Sequence, residues 1–241
     1  SAPVRPSRTG LGVWAGAPRL RHVSAFGTRA PLFERLAAEP FEYPRAWPAN
    51  VKLVGPGVWE PGEEAEPSRA GDDRPLVLVT CSTEFQNDGR LVAAALAALA
   101  DEPVRVVATT ASLGPASFEA PANARVERFL PHGPLLCEAA CVVCHGGMGI
   151  TQKALAAGVP VCAVPFGRDQ LEVARHVEVA GAGTRLPAAR LNPERLKAAV
   201  RTAMSRAEGA RRLAAAFREA GGARAAADAL ESIVTERRAR P

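Results

Sequence analysis

No apolar run in the 241 residues approaches the ~20 needed to cross a bilayer, so no stable membrane insertion is expected. The opening residues, SAPVRPSRTG, hold no apolar core of the kind an export signal needs, and the expected setting is cytoplasmic. Ser rather than Met at position 1 suggests a trimmed chain or a fragment. Aromatic residues make up only 5% of the chain, and no basic stripe is interleaved with them. Arg is scattered among Glu and Asp, so the net charge of +5 reads as a solvated surface, with no nucleic-acid partner. No internal repeat and no metal-ligand cluster is visible.

Five cysteines are present. Cys137, Cys141 and Cys144 have a C-x3-C-x2-C spacing, the pattern of some iron–sulfur sites, and Cys141 to His145 matches the CxxCH of haem attachment. Cys141 and Cys144 fall on an apolar strand, however, whereas a cluster needs a loop that can wrap it, and haem attachment needs export. They read instead as small buried hydrophobes in a reducing compartment. Metal and cofactor are both expected to be none.

What is present is a core. Hydrophobic residues make up 47%, enough for one large domain or one and a half ordinary ones. Residues 1–30 show no sustained period and read as irregular, and Pro31 to Ala38 as a short helix. A Glu-, Pro- and Gly-rich stretch over 61–75 reads as a linker. From Leu76 the pattern alternates strand and helix. Strands are expected at 76–80, 104–108, 126–130, about 141–144, 161–164 and 184–186. Helices are expected at 89–100, 134–139, 150–157, 169–180, 193–205, 207–220 and 223–238. Apolar strands with helices between them imply an α/β fold with a Rossmann-like, doubly wound parallel sheet and C-terminal helices.

The stretch CVVCHGGMGITQKALAAGVPVCAVPFGRDQ, Cys141 to Gln170, organises the rest. It reads as a buried strand, a turn in which Gly146, Gly147 and Gly149 carry no Cβ, a helix, a second strand, and a polar pair opening another helix. A helix that begins straight after a glycine turn aims its free N–H groups and positive dipole end at an anion above the strand. His145 at the strand end adds an imidazole.

The combination HGGMGxxxxALAAGVPVxxVPxxxDQ resembles the donor-binding signature of nucleotide-sugar glycosyltransferases with the two-Rossmann (GT-B) fold, particularly the bacterial enzymes of natural-product glycosylation. The resemblance covers roughly Leu76 to Met204 and reaches back to about Phe41, with Val51 to Pro56 resembling the segment that enters the interdomain linker. It implies that residues 1–60 are an irregular segment and the remnant of an N-terminal acceptor domain, and that 76–241 form the donor domain. It implies a UDP- or TDP-sugar donor and a small lipophilic acceptor, with inverting, metal-independent transfer. Carried over residue by residue, it assigns the diphosphate to His145, Gly147, Met148 and Gly149, with Ser82 and Thr83 after the first strand. The base falls to Phe129 or the backbone at Leu130, and the sugar to Asp169 and Gln170. Bland roles stand beside these: a strand-end His145, helix capping by Ser82, Thr83 or Asp169, and a core Phe129.

Two positions depart from the family. Lys153 stands where many relatives carry a Glu for the ribose hydroxyls, and Ile150 where they carry Thr or Ser; Thr151 is a candidate substitute. The acceptor base, commonly a His early in the N-terminal domain, has no match, since His22 follows no apolar strand. The catalytic base is therefore unassigned. The rival reading is a non-catalytic nucleotide-sugar-binding module, or an inactive fragment, acting with a separate acceptor subunit. A nucleotide-sugar epimerase on the same fold would need carboxylates in the interdomain cleft. An uncovered interdomain face would also favour self-association.

Overall fold

The computed structural model describes residues 32–59, 72–82 and 88–238. The expectations for residues 1–30, His22, Thr83 and most of the 61–75 linker lie outside the described residues. Two short strands, β1 (Phe33–Arg35) and β2 (Val51–Leu53), pair in parallel with Phe33 opposite Val51. The main body follows as β3 (Leu76–Thr80), α1 (Gly89–Leu99), β4 (Arg105–Thr109), β5 (Ala124–Glu127), α2 (His132–Glu138) and β6 (Ala139–Cys144). It continues as α3 (Met148–Ala156), β7 (Val161–Ala163), α4 (Gln170–Val179), β8 (Gly183–Arg185), α5 (Pro193–Met204), α6 (Ala207–Ala220) and α7 (Gly222–Arg238). Among the described residues no helix is long and apolar enough to cross a membrane.

The large sheet has the order β5-β4-β3-β6-β7-β8, and every pairing in it is parallel. The chain starts at β3 in the middle, winds outward to β5, crosses back to β6 and winds outward to β8. That is a doubly wound sheet, and its direction reverses between β3 and β6. Ligands of such sheets bind beyond the carboxyl ends of the strands at this reversal.

Side-chain alternation divides the core into two layers. Val77 and Val79 of β3, with Cys141 and Val143 of β6, face the layer built from α1 and α5, where Leu91, Leu99, Leu196 and Val200 are buried. Leu76 and Leu78, with Val142 and Cys144, face the opposite layer with Leu155 of α3, Val173 of α4 and Leu213 of α6. Both faces of the central strands are therefore covered, which is why they read as unbroken apolar runs.

The helix expected over Pro31 to Ala38 is not formed: residues 33–35 are β1. Helix propensity is a weak preference, and pairing with β2 overrides it while Ala37, Ala38 and Phe41 sink into the α3–α6 layer. Phe41 is fully buried, edge-on to Phe217 of α6 at 5.9 Å and to His176 of α4 at 5.1 Å. Gly55, at φ +79°, brings the backbone so close to α6 that a Cβ there would lie 2.9 Å from the Phe217 carbonyl oxygen. The Gln152 amide of α3 donates to the Leu36 carbonyl. The segment read as a remnant of a preceding domain thus shares its core with the sheet. A smaller shift concerns the third strand, which ends at Glu127 and leaves Phe129 and Leu130 in the loop beyond it.

If Phe41 is part of this core, Phe41→Ala costs about 3–5 kcal/mol of stability. Urea denaturation of the chain measures it, and a loss below about 1 kcal/mol would mean the segment is only laid on the surface.

Candidate functional site

Thr80 pairs with Cys144 at the reversal, so the residues just after β3 and just after β6 lie side by side. Ser82 is one of them and His145 the other, and both are buried. The loop after β3 is tied back by Asp88, whose Oδ2 accepts the Ser82 N–H at 2.5 Å. Asp88 is itself 3% exposed and was not anticipated. Its signal is the Asp-Gly pair ahead of α1, which resembles any turn.

His145 packs directly against the start of α3. A Cβ on Gly147 would come within 2.3 Å of His145 Nε2, so only glycine permits this ring position. Gly146 adopts φ +81°, a left-handed conformation natural to glycine, and a Cβ there would meet the Gln170 carbonyl oxygen at 3.3 Å. Gly147 is the N-cap of α3, and no side chain caps the helix. The first helical bond is Thr151 N–H to the Gly147 carbonyl, so the N–H groups of Met148, Gly149 and Ile150 precede the ladder. Among the described residues no atom lies within 4 Å of a Cβ placed on Gly149.

Burial lowers the His145 pKa from its ordinary value, against the pull of the Asp88 and Asp169 carboxylates. The ring is thus biased toward neutrality, with Nδ1 buried and without a hydrogen-bond partner among the described residues. Nε2, against Gly147, is the nitrogen that faces the helix start. A neutral imidazole nitrogen beside three uncapped N–H groups makes a seat for an anion with little fixed charge of its own.

Asp169 and Gln170 separate in role. Asp169 is exposed, makes no capping bond to α4, and leaves its carboxylate at the rim beside Met148. Gln170 is 2% exposed, and its Oε1 accepts the N–H groups of Phe166 at 2.8 Å and Gly167 at 3.3 Å. It braces the loop that presents Asp169. Arg168 in that loop takes φ +56°, unusual for a residue with a side chain. Arg90, at the start of α1, lies 4.9 Å over the Phe166 ring and joins this loop to the other layer.

Phe129 is not core: it is 65% exposed, while Leu130 packs partly against the α3–α6 layer. Both follow the edge strand β5, three strand spacings from β6, or roughly 14 Å. A ligand touching both ends must be elongated. Ile150 packs against the same layer. Thr151 is fully buried with its hydroxyl 3.9 Å from Cys144 Sγ, so it does not replace the hydroxyl missing at position 150. Lys153 sits half-buried one turn on.

The cysteines do not converge. Cys141 and Cys144 are an odd number of residues apart on β6 and face opposite layers, and Cys137 is exposed on α2. Among the described residues no group of three or more His, Cys, Asp or Glu is placed to hold a metal. Burial pushes the thiols of Cys81 and Cys162 up to about 12 and that of Cys144 to about 11.

Residues 90–231 match the family model described as the erythromycin biosynthesis protein CIII-like C-terminal domain. Over 198 residues the chain is 40% identical to 4'-demethylrebeccamycin synthase of Lentzea aerocolonigenes, a match covering 78% of this chain and 46% of that protein. It is similar in structure to CalG4, the calicheamicin glycosyltransferase, with a TM-score of 0.76, 29% identity, and coverage of 88% of this chain and 53% of that one. Glycosyltransferase VinC in complex with dTDP matches with a TM-score of 0.63 and 26% identity over 81% of this chain and 50% of that one. The chain spans about half the length of each of these relatives.

Two outcomes check this geometry. The unfolded chain binds the His145 proton at about the ordinary value of 6.5, and the folded chain only at lower pH. The histidine's contribution is therefore intact above the ordinary value and is lost as pH falls through the folded one. His145→Gln should shrink the fall in Tm between about pH 7 and about pH 5, and an unchanged fall would place the ring in solvent. Native protein treated with a maleimide should react rapidly at Cys137 alone, and at all five cysteines after denaturation. Rapid native labelling of Cys141 or Cys144 would contradict the buried sheet.

Proposed function

Because the chain belongs to the CIII-like C-terminal domain family of natural-product glycosyltransferases, we propose that it is the donor-binding half of a hexosyltransferase. The donor is a UDP- or TDP-sugar and the acceptor a hydroxyl of a small lipophilic molecule. The observation that carries this reading is the uncapped start of α3 set against a buried imidazole at the reversal of the sheet. VinC's complex with dTDP makes TDP the first nucleotide to try.

In this reading the terminal phosphate rests on the N–H groups of Met148 and Gly149 and on His145 Nε2, with Ser82 at the neighbouring strand end. Its nucleoside extends along the carboxyl edge toward Phe129 and Leu130. The acceptor oxygen bonds to the anomeric carbon from the face opposite the diphosphate. The bond from that carbon to the phosphate oxygen breaks, the nucleoside diphosphate keeps the electron pair, and the configuration inverts. The acceptor proton passes to a general base that the family resemblance places in an N-terminal half. Negative charge grows on the diphosphate as the bond breaks, which is where preorganised donors act. A helix N-terminus contributes about 0.3–1 kcal/mol to an anion, and up to about 2 when partly buried. That is the charge stabilisation a metal ion would otherwise supply. Asp169 accepts from sugar hydroxyls, and Gln170 holds the loop that carries it.

Exposed apolar side chains at Trp59 and at Leu230 and Val234 of α7 support the expectation that the chain self-associates.

Calorimetric titration with TDP and UDP should give saturable binding, and His145→Ala should weaken it by about 1–3 kcal/mol. No binding by a demonstrably folded chain would sink the donor-site reading.

A further inference from the structure

A cavity of about 210 Å³ lies between the residues that follow β1 and the starts of α3 and α4. Met148, Asp169, Glu172 and His176 line it from the helices, and Tyr43 and Arg45 from the segment upstream of the linker. Met148 is the first residue of α3, so the cavity and the anion seat share that residue.

The wall is built rather than incidental. Glu42 has a side chain only 4% exposed, ion-paired with Arg35 and lying 3.7 Å from Arg45. Arg45 is laid over the Trp47 ring at 4.0 Å, and the Trp47 indole N–H donates to Glu39 at 2.7 Å. Tyr43 packs on His176 with ring centroids 4.4 Å apart, and burial together with the nearby Glu172 carboxylate raises the pKa of its hydroxyl. His176 is 6% exposed and holds Glu172 at 3.2 Å through Nε2, with Nδ1 buried and without a partner.

Size and chemistry limit the occupant. At about 210 Å³ the cavity is smaller than the roughly 300–1,000 Å³ of sites for drug-sized ligands. One sugar ring is of that scale. The lining alternates acceptors (Asp169, Glu172), donors (Arg45, Tyr43) and an apolar surface from Met148 and Val173. A polyol needs all three. A second phosphate would face the carboxylates of Asp169 and Glu172, and a hydrocarbon would strand the charged groups.

We propose that this cavity seats the hexose of the donor, and that Tyr43, Arg45 and Glu172 read its hydroxyls alongside Asp169. The inference rests on the donor-site reading above. It assigns part of the sugar specificity to the segment ahead of the linker, outside the stretch that carries the glycine turn. Glu42 and His176 are positioning residues, since they hold Arg45 and Glu172 in place.

The test separates nucleotide from sugar. The full chain is titrated with TDP and UDP, then with TDP-glucose, UDP-glucose and TDP-rhamnose, as wild type, Tyr43→Phe, Arg45→Met and Glu172→Gln. Tm is measured for each variant. At least one sugar nucleotide should bind wild type more tightly than its bare diphosphate. The variants should keep diphosphate affinity within about twofold, as surface substitutions do, and lose about fivefold of the sugar's advantage for each hydrogen bond removed. If the diphosphates bind but no sugar adds affinity, or the advantage survives all three substitutions, the cavity is not the hexose seat and the donor site stands. Equal losses for diphosphate and sugar nucleotide would overturn it too. If no nucleotide binds, the donor-site reading fails and this proposal falls with it.

Discussion

The parallel pairing of β3 with β6 is the constraint on which the carboxyl edge depends. It is the place where the winding of the sheet reverses, so α1 and α3 leave their strands toward opposite layers. Their starts diverge and open a crevice that no other strand pair provides. The register of Thr80 with Cys144 sets Ser82 beside His145 within it. Asp88 then fixes the loop after β3 by accepting the Ser82 N–H, and Gln170 fixes the loop after β7 by accepting two more. The same device, a buried acceptor gathering loop N–H groups, is used on both sides of His145.

Part of the local cost of the fold falls at the same place. His145 is buried against its charge and leaves one ring nitrogen without a partner. Gly146 is left-handed, and Arg168 is left-handed despite its side chain. An unpaired buried nitrogen costs about 1–3 kcal/mol, and a non-glycine left-handed residue about 1–3 kcal/mol. The two filled layers offset this, with β3 buried along its whole length and β6 over its last four residues.

Much of this was legible in the residues. LVLVT and CVVC are apolar runs too short for helices and bounded by turn residues, and they became β3 and the buried end of β6. His-Gly-Gly-Met-Gly could be read as a strand end, a turn and a helix start because each glycine has a local reason to be there. What escaped depends on partners far away in sequence. Residues 33–35 favour a helix until Val51–Leu53 is present to pair with them. Asp169 and Gln170 look equivalent as neighbours, but successive residues on a helix point about 100° apart, so one faces the rim and the other the core. Phe129 has the composition of a core residue, and only the end of β5 at Glu127 leaves it exposed. Tyr43 and Arg45 carry no motif, and their place beside Asp169 follows from how residues 33–56 fold back onto α4 and α6.

That fold-back matters to anyone recombining this domain with others. The composition points to the 61–75 linker as the natural joint. A cut there would discard Phe41, which fills the space between Phe217 and His176, and Val54, which is fully buried. It would leave an apolar trough along α6 and remove the carbonyl of Leu36 that receives Gln152. A chimera that keeps this half intact has to change parent ahead of residue 32. Whatever is joined to it is then fitted at a joint on the far side of β1, not at the more obvious hinge.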